Sequence, residues 1–224
     1  NTGVAKVFAD TFKAGGGKVA VNQAHQPDKP DYKREVSALV RGSANLVIFA
    51  YYNSSGIQLL KDAFATGKVA QVFGPDGMLA PELIDELGED ALKSTRLLND
   101  SVDETRKAFK IWQAYADAAK LPASGPFVAN SYDAAFMMAL AIQAAGTADR
   151  AAISAGLRAI SGPEGEVIYP GEFEKAKRIL AAGGKINYEG GSGSVDFDKQ
   201  GDISGVISVN QVEDGKWKAQ LLRD

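Results

Sequence analysis

The chain has 224 residues, 45% of them hydrophobic, enough for one large domain or two smaller ones with real cores. Its net charge of −3 leaves no basic footprint for nucleic acid, and the absence of Cys excludes thiol catalysis, zinc–thiolate sites and disulfides. No apolar run approaches the length of a bilayer span, the longest (Ala134 to Ile142) being part of an ordinary helix. A signal peptide is not present, as expected of a mature or trimmed exported chain.

In chain order, residues 3 to 14 place Val4, Val7, Phe8, Thr11 and Phe12 on one helical face, stopped by Gly15-Gly16-Gly17. Lys18 to Val21 reads as a strand, and a loop with Pro27 and Pro30 leads to a short helix presenting Val36, Leu39 and Val40. The run NLVIFAYY (Asn45 to Tyr52) is continuous, branched and aromatic, as expected of a strand buried on both faces. An amphipathic helix with Ile57, Leu60 and Phe64 on one side follows and closes at Gly67. Val69 to Phe73 is a second short strand, so this stretch is one right-handed strand–helix–strand unit. Helical turns from Pro81 to Leu92 and a strand at Thr95 to Leu98 complete an alternation that predicts a doubly wound α/β sheet. The alternation starts on a helix, so the strand expected before it lies outside this chain.

Ser101-Val-Asp-Glu104 has the pattern of a capping box and predicts a helix start, with Phe109, Trp112 and Ala116 on one stripe. A helix from Phe127 to Ala145 is apolar nearly all round, and a third from Arg150 to Ile160 aligns Ile153, Leu157 and Ile160. Three helices in a row break the rhythm and set a domain boundary near Ser101. Ser161 to Gly193 is Gly- and Pro-rich, with a basic helical piece around Phe173 to Ala182. Val195 to Phe197 and Val206 to Val212 read as strands, and Glu213-Asp214-Gly215-Lys216 as a hairpin turn into Trp217 to Leu222.

Parallel sheets carry ligands beyond the carboxyl ends of their strands. The two ends of the strand–helix–strand unit deliver Tyr51 and Tyr52 on one side and Asp76 on the other. Two rings and a carboxylate suit an ammonium group, through cation–π attraction and a charged hydrogen bond. Gly74-Pro75-Asp76-Gly77 is equally an ordinary turn, and adjacent tyrosines on a strand point to opposite faces, so at most one reaches the cleft. Asn53 or Ser54 is positioned to cap the following helix, whose free N-terminus would attract a carboxylate, so an amino acid offers both charges. Tyr132 either points its hydroxyl to a cleft or fills core, and the neighbouring Asp133 is expected to pair or cap in the interior.

His25, the only histidine, sits in a polar loop and reads as a solvated residue, which leaves no support for triad chemistry. Phosphate-loop, dinucleotide and nucleophile-elbow motifs do not occur. The run Asp196 to Gly205 imitates a calcium loop, but Gln200 and Ile207 stand at ligand positions, so a turn between strands is expected and no metal or cofactor. Two N-glycosylation patterns, Asn53-Ser54-Ser55 and Asn99-Asp100-Ser101, are short enough to arise by chance.

Taken together, Thr2-Gly3, NLVIFAYY, LLKDAFATG, FGPDGM, SYDAAFMMALAIQAAG, YPGEF, INYEGGSGSVDFDKQGDISG and NQVEDGKW, in this order, resemble the periplasmic solute-binding proteins of branched-chain amino acid ABC transporters. The resemblance implies a type I periplasmic-binding fold, with two α/β lobes hinged by crossing segments and a ligand between them. It covers the later part of such a protein, whose first lobe opens with roughly a hundred further residues. By that analogy residues 1–101 are the second lobe, 102–205 the returning part of the first, and 206–224 final strands back in the second. Carried over, the family's ammonium-binding acid falls on Asp76, where branched-chain binders tend to have Glu. Its strand-end aromatic falls on Tyr52, or on Tyr51 with a gap, and its aromatic before the first helix falls on Thr2, which departs from the pattern. The resemblance further implies a monomeric periplasmic receptor, no enzyme, passing a small amino acid-like zwitterion to a membrane permease and its ATPase subunits. A ligand sensor signalling to a partner protein is the alternative on the same fold. An enzyme of flavodoxin-like architecture would need a bound nucleotide or flavin.

Overall fold

The structure is a computed structural model that describes residues 2–41, 45–48, 53–123, 125 and 127–222. The chain divides into two compact units, Asn1–Asn99 with Ser208–Asp224, and Asp100–Ile207.

In the first unit α1 (Thr2–Ala14) and α2 (Lys33–Leu39) precede β1 (Asn45–Val47), α3 (Asn53–Ala65) and β2 (Gln71–Gly74). Two short helices follow, α4 (Pro81–Leu87) and α5 (Glu89–Leu92), then β3 (Thr95–Ser101). β1 and β2 run parallel with Asn45 opposite Gln71 and Val47 opposite Phe73, and β2 and β3 are parallel too. The strand–helix–strand unit is therefore present, with the parallel pairing that the crossover rule requires. Two late strands, β6 (Val206–Glu213) and β7 (Lys216–Leu221), join to give the order β1-β2-β3-β6-β7. They form the expected antiparallel hairpin, with Asp214 (φ 54) and Gly215 (φ 71) in the left-handed region that a two-residue turn demands. Asn210 fastens the junction, its amide donating to the Leu97 carbonyl at 3.1 Å.

The core of this unit is Val72 and Leu97 from the sheet, Leu59, Leu60 and Ala63 from α3, Val36 from α2, Met78, Leu83 and Leu92, all buried. A fully buried side chain of this size stabilises the fold by about 1.5–3 kcal/mol. The inward face of α3 is thus rotated from the expected Ile57–Leu60–Phe64 stripe, since Ile57 and Phe64 are only partly covered. Lys18 to Val21 does not form a strand: it has no ladder partner among the described residues, and apolar patterning cannot make a strand alone. The apolar face of α1 likewise stays open, with Val4, Val7 and Phe12 exposed and Ala9 buried.

The second unit holds α6 (Lys107–Ala118), α7 (Val128–Ala145), α8 (Arg150–Ala159), β4 (Glu166–Ile168), α9 (Phe173–Ala181) and β5 (Ile186–Tyr188). β4 and β5 pair in parallel, Ile168 opposite Tyr188, a sheet that the Gly- and Pro-rich reading of this stretch missed. The expected capping box is not one. Ser101 ends β3, α6 starts at Lys107, and Asp103 instead folds a turn by accepting from the Thr105 N–H (2.9 Å) and hydroxyl (2.6 Å). On α7 one stripe is buried (Ala129, Asp133, Met137, Leu140, Ala141), while Met138 and Ile142 remain exposed, so its all-round apolar character is only half used. Gly156 lets α8 approach closely, because a Cβ there would lie 2.8 Å from the Ala141 carbonyl oxygen. Asp149 caps α8 by accepting from the N–H groups of Ala151 and Ala152. Val195 to Phe197 is not a strand, yet Val195 is buried beside Ile168, Ile186 and Tyr188. The Asp198 carboxylate takes the N–H groups of Gln200, Gly201 and Asp202, which is a turn, as expected, with the oxygen committed to backbone.

Candidate functional site

β2 ends at Gly74 because nothing larger fits: a Cβ would sit 2.9 Å from Leu97 Cδ2 and from Met78 Sδ. Pro75 continues extended (φ −82, ψ 172), and Asp76–Met78 close a single 3-10 turn in which the Leu79 N–H donates to the Asp76 carbonyl at 2.7 Å. Met78 is buried as the plug of this turn. Its Cγ and Cε lie 3.2 Å from where a Cβ on Gly56 would be, so the turn is seated on the first turn of α3. Asp76 itself is half-buried, and its Oδ1 accepts from the Gly77 N–H at 2.9 Å. Among the described residues its other oxygen has no partner, which leaves a carboxylate with spare acceptor capacity beyond the end of a parallel strand.

The same helical turn is gripped from a second side. Ser55 Oγ, buried, accepts the Asp28 N–H at 3.1 Å and lies 3.3 Å from the Tyr32 hydroxyl. Tyr32 is fully buried; its hydroxyl is 3.0 Å from the Gln26 carbonyl and accepts the Lys29 N–H, while its own N–H donates to Asp62 Oδ2 at 2.6 Å. The His25 ring stands edge-on to Tyr32, centroids 5.3 Å apart. Loop 25–32 and turn 76–78 therefore flank one turn of one helix. Sequence reasoning found Asp76 but missed Tyr32 and Ser55, whose partners are 23 to 30 residues apart.

Of the other predicted residues, Tyr51 and Tyr52 lie outside the described residues. Thr2 opens α1 and Ser54 stands in the first turn of α3, with their side chains outside what is described. Tyr132 belongs to the second unit, in a ring stack with Trp112 (4.5 Å) and Phe136 (5.7 Å). Burial raises its phenol pKa, against a backbone hydrogen bond with Gly171 that lowers it.

Asp133 pairs in the interior, as expected. Its carboxylate is buried and accepts four hydrogen bonds: the Tyr188 hydroxyl (2.6 Å), the N–H groups of Gly191 (3.1 Å) and Ser192 (2.7 Å), and the Ser192 hydroxyl (2.6 Å). Burial, then the Asp133 charge, holds the Tyr188 phenol far above its ordinary range, so it stays a donor. Arg106 and Glu189 form a further pair at 2.5 Å in this unit. A shallow depression of about 650 Å³ along α6, between Lys107, Lys110 and Tyr115, contains none of the predicted residues. Among the described residues no group of three or more His, Cys, Asp or Glu is arranged to hold a metal ion.

Residues 1–181 match the family model described as periplasmic binding protein. The chain belongs to that family. The chemotactic signal transduction system substrate-binding protein BasB of Halobacterium salinarum is 34% identical over 88 residues, 39% of this chain and 21% of that protein. The Leu/Ile/Val-binding protein BraC3 of Rhizobium johnstonii is 30% identical over 149 residues, 66% of this chain and 40% of that protein. Among solved structures, the leucine binding protein LivK of Thermotoga maritima superposes with a TM-score of 0.68 at 21% identity, covering 99% of this chain and 56% of that one. The fold is thus the type I periplasmic-binding fold, and the chain spans about half the length of that structure and less than half of those curated relatives.

Proposed function

We propose that this chain is part of a solute-binding protein that captures an amino acid or related small zwitterion in the periplasm and delivers it to a membrane permease with its ATPase. Residues 1–101 with 206–224 act as the second lobe of that receptor, and 102–205 as the returning part of the first. Asp76 takes the ligand's ammonium, with the ring of Tyr52 or Tyr51 against it. Ser54 and the start of α3 present hydrogen-bond donors to the carboxylate, and Thr2 and Tyr132 complete the set of candidate contacts. The observation that carries this reading is the spare oxygen of Asp76, half-buried beyond the end of β2 and beside a helix start. Calorimetric titration with the common amino acids tests it. Micromolar or tighter binding of at least one, lost in Asp76→Asn, is expected, and binding unchanged by that substitution discards the role.

A second reading is favoured by one relative: BasB is named as part of a chemotactic signalling system. On that reading the bound receptor signals to a partner protein, and permease uptake assays in a strain lacking this protein separate the two. Loss of uptake supports transport, and loss of taxis alone supports sensing.

A further inference from the structure

The turn that carries Asp76 is tied down at both ends. Upstream, Gly74 closes β2 opposite Leu97 of β3. Downstream, the Trp217 indole N–H donates to the Ala80 carbonyl at 3.0 Å. Between those ends the backbone bonds are local, from the Met78 N–H to the Pro75 carbonyl (3.1 Å) and from the Leu79 N–H to the Asp76 carbonyl (2.7 Å). Among the described residues the Asp76 carboxylate bonds only to the Gly77 N–H, inside the same turn, so the carboxylate goes where the turn goes. The turn is seated sideways by Met78, two residues from Asp76 and 1% exposed.

Met78 lies in a notch that two glycines leave open. A Cβ on Gly74 would meet its Sδ at 2.9 Å, and a Cβ on Gly56 would meet its Cγ and Cε at 3.2 Å and its Sδ at 3.6 Å. An unbranched thioether chain is suited to so narrow a space. Gly56 is buried within α3, and its φ is outside the left-handed region, so the position does not call on glycine's conformational freedom. A glycine inside a helix costs backbone entropy that alanine does not. What an alanine here would crowd is the Met78 side chain, which would have to give by a few tenths of an ångström. The helix thus carries a weak helix former at the point where the turn docks.

We propose that Met78, seated against Gly56, is the positioning residue for Asp76, and that this contact sets where the carboxylate meets the bound ammonium. This rests on the amino acid-binding reading above and deepens it. A binding group is effective when packing of its supporting residues holds it to within about 0.5 Å of the productive geometry, and the carboxylate has no bond outside its turn to do so.

The test is a double-mutant cycle by calorimetric titration of the full-length protein with the best-binding of the common amino acids. The proteins are wild type, Gly56→Ala, Asp76→Asn and the double variant, with a melting temperature for each. Gly56→Ala removes no contact and favours the helix, so its melting temperature is expected to equal or exceed that of wild type. Its affinity is expected to fall about fivefold, as for coupled neighbours in one packed contact, and in the Asp76→Asn background the same substitution is expected to cost under about twofold. Met78→Ala, which empties the seat from the other side, is expected to weaken binding at least as much; should it fail to fold, the Gly56 cycle decides alone. Wild-type affinity in Gly56→Ala or in folded Met78→Ala overturns the proposal. So does a Gly56→Ala loss that persists in full beside Asp76→Asn, or one that accompanies a lowered melting temperature. If Asp76→Asn weakens binding and Gly56→Ala does not, only the positioning inference falls. If Asp76→Asn changes nothing, or no amino acid binds wild type, the amino acid-binding reading falls and this inference with it.

Discussion

Two aspartates, one in each unit, show what a fold can do with a carboxylate. Asp133 is buried on α7, and all of its hydrogen-bonding capacity is consumed internally, by Tyr188, Gly191 and Ser192. Asp76 is half-buried at a strand end and spends one oxygen on the N–H of the next residue. The first fastens the 190–192 segment to a helix. The second is left, among the described residues, with an oxygen that the fold does not need. A buried acid is therefore not by itself a sign of a site; the partners decide.

Asp133→Ala should produce the largest loss of stability, about 3–5 kcal/mol in chemical denaturation, because it strands several buried donors at once. A loss below about 1 kcal/mol would show that water replaces the carboxylate and would erase the contrast. Alkali probes the same network from the donor side. The folded Tyr188 pKa is raised above its unfolded value, so its contribution is full below about pH 10 and is lost as pH rises through the folded value. Unfolding measured between pH 8 and 11 should show stability falling past about pH 10, and Tyr188→Phe should flatten that fall. In the first unit, Tyr32→Phe removes the hydroxyl that ties Gln26, Lys29 and Ser55 together and should cost about 1–2 kcal/mol. Asp76→Ala should change stability by less than about 0.5 kcal/mol, since it gives up one local bond. At the bottom of the scale lies Lys6–Asp10, an exposed pair one turn apart on α1, where Lys6→Ala should leave the melting temperature unchanged.

Much of the fold was legible because it is local. The apolar run at Asn45, the helical spacing that follows and the apolar strand before Gly74 give β1, α3 and β2, and Asp214-Gly215 gives the last hairpin. What failed depends on distant partners. Lys18 to Val21 has the composition of a strand but no neighbour to pair with, and Ser101–Glu104 has the spelling of a cap but lies where a strand ends. β4 and β5 are three residues each, too short to show a period among glycines, and exist because they meet each other. At the site, Asp76 was nameable from its turn motif, whereas the value of its free oxygen depends on the 3-10 geometry. Tyr32 and Ser55 were invisible, being joined across 23 residues by a single hydroxyl. The edge-on packing of His25 against Tyr32 is likewise a property of the folded loop.

The most direct trial of the account is the affinity of wild type and Asp76→Asn for the best-binding amino acid, by calorimetry at one pH with folding verified for both. Removing the charged partner of a desolvated ammonium should weaken binding about 100-fold, with stability unchanged. Equal affinities in the two proteins would contradict the claim that Asp76 holds the ligand.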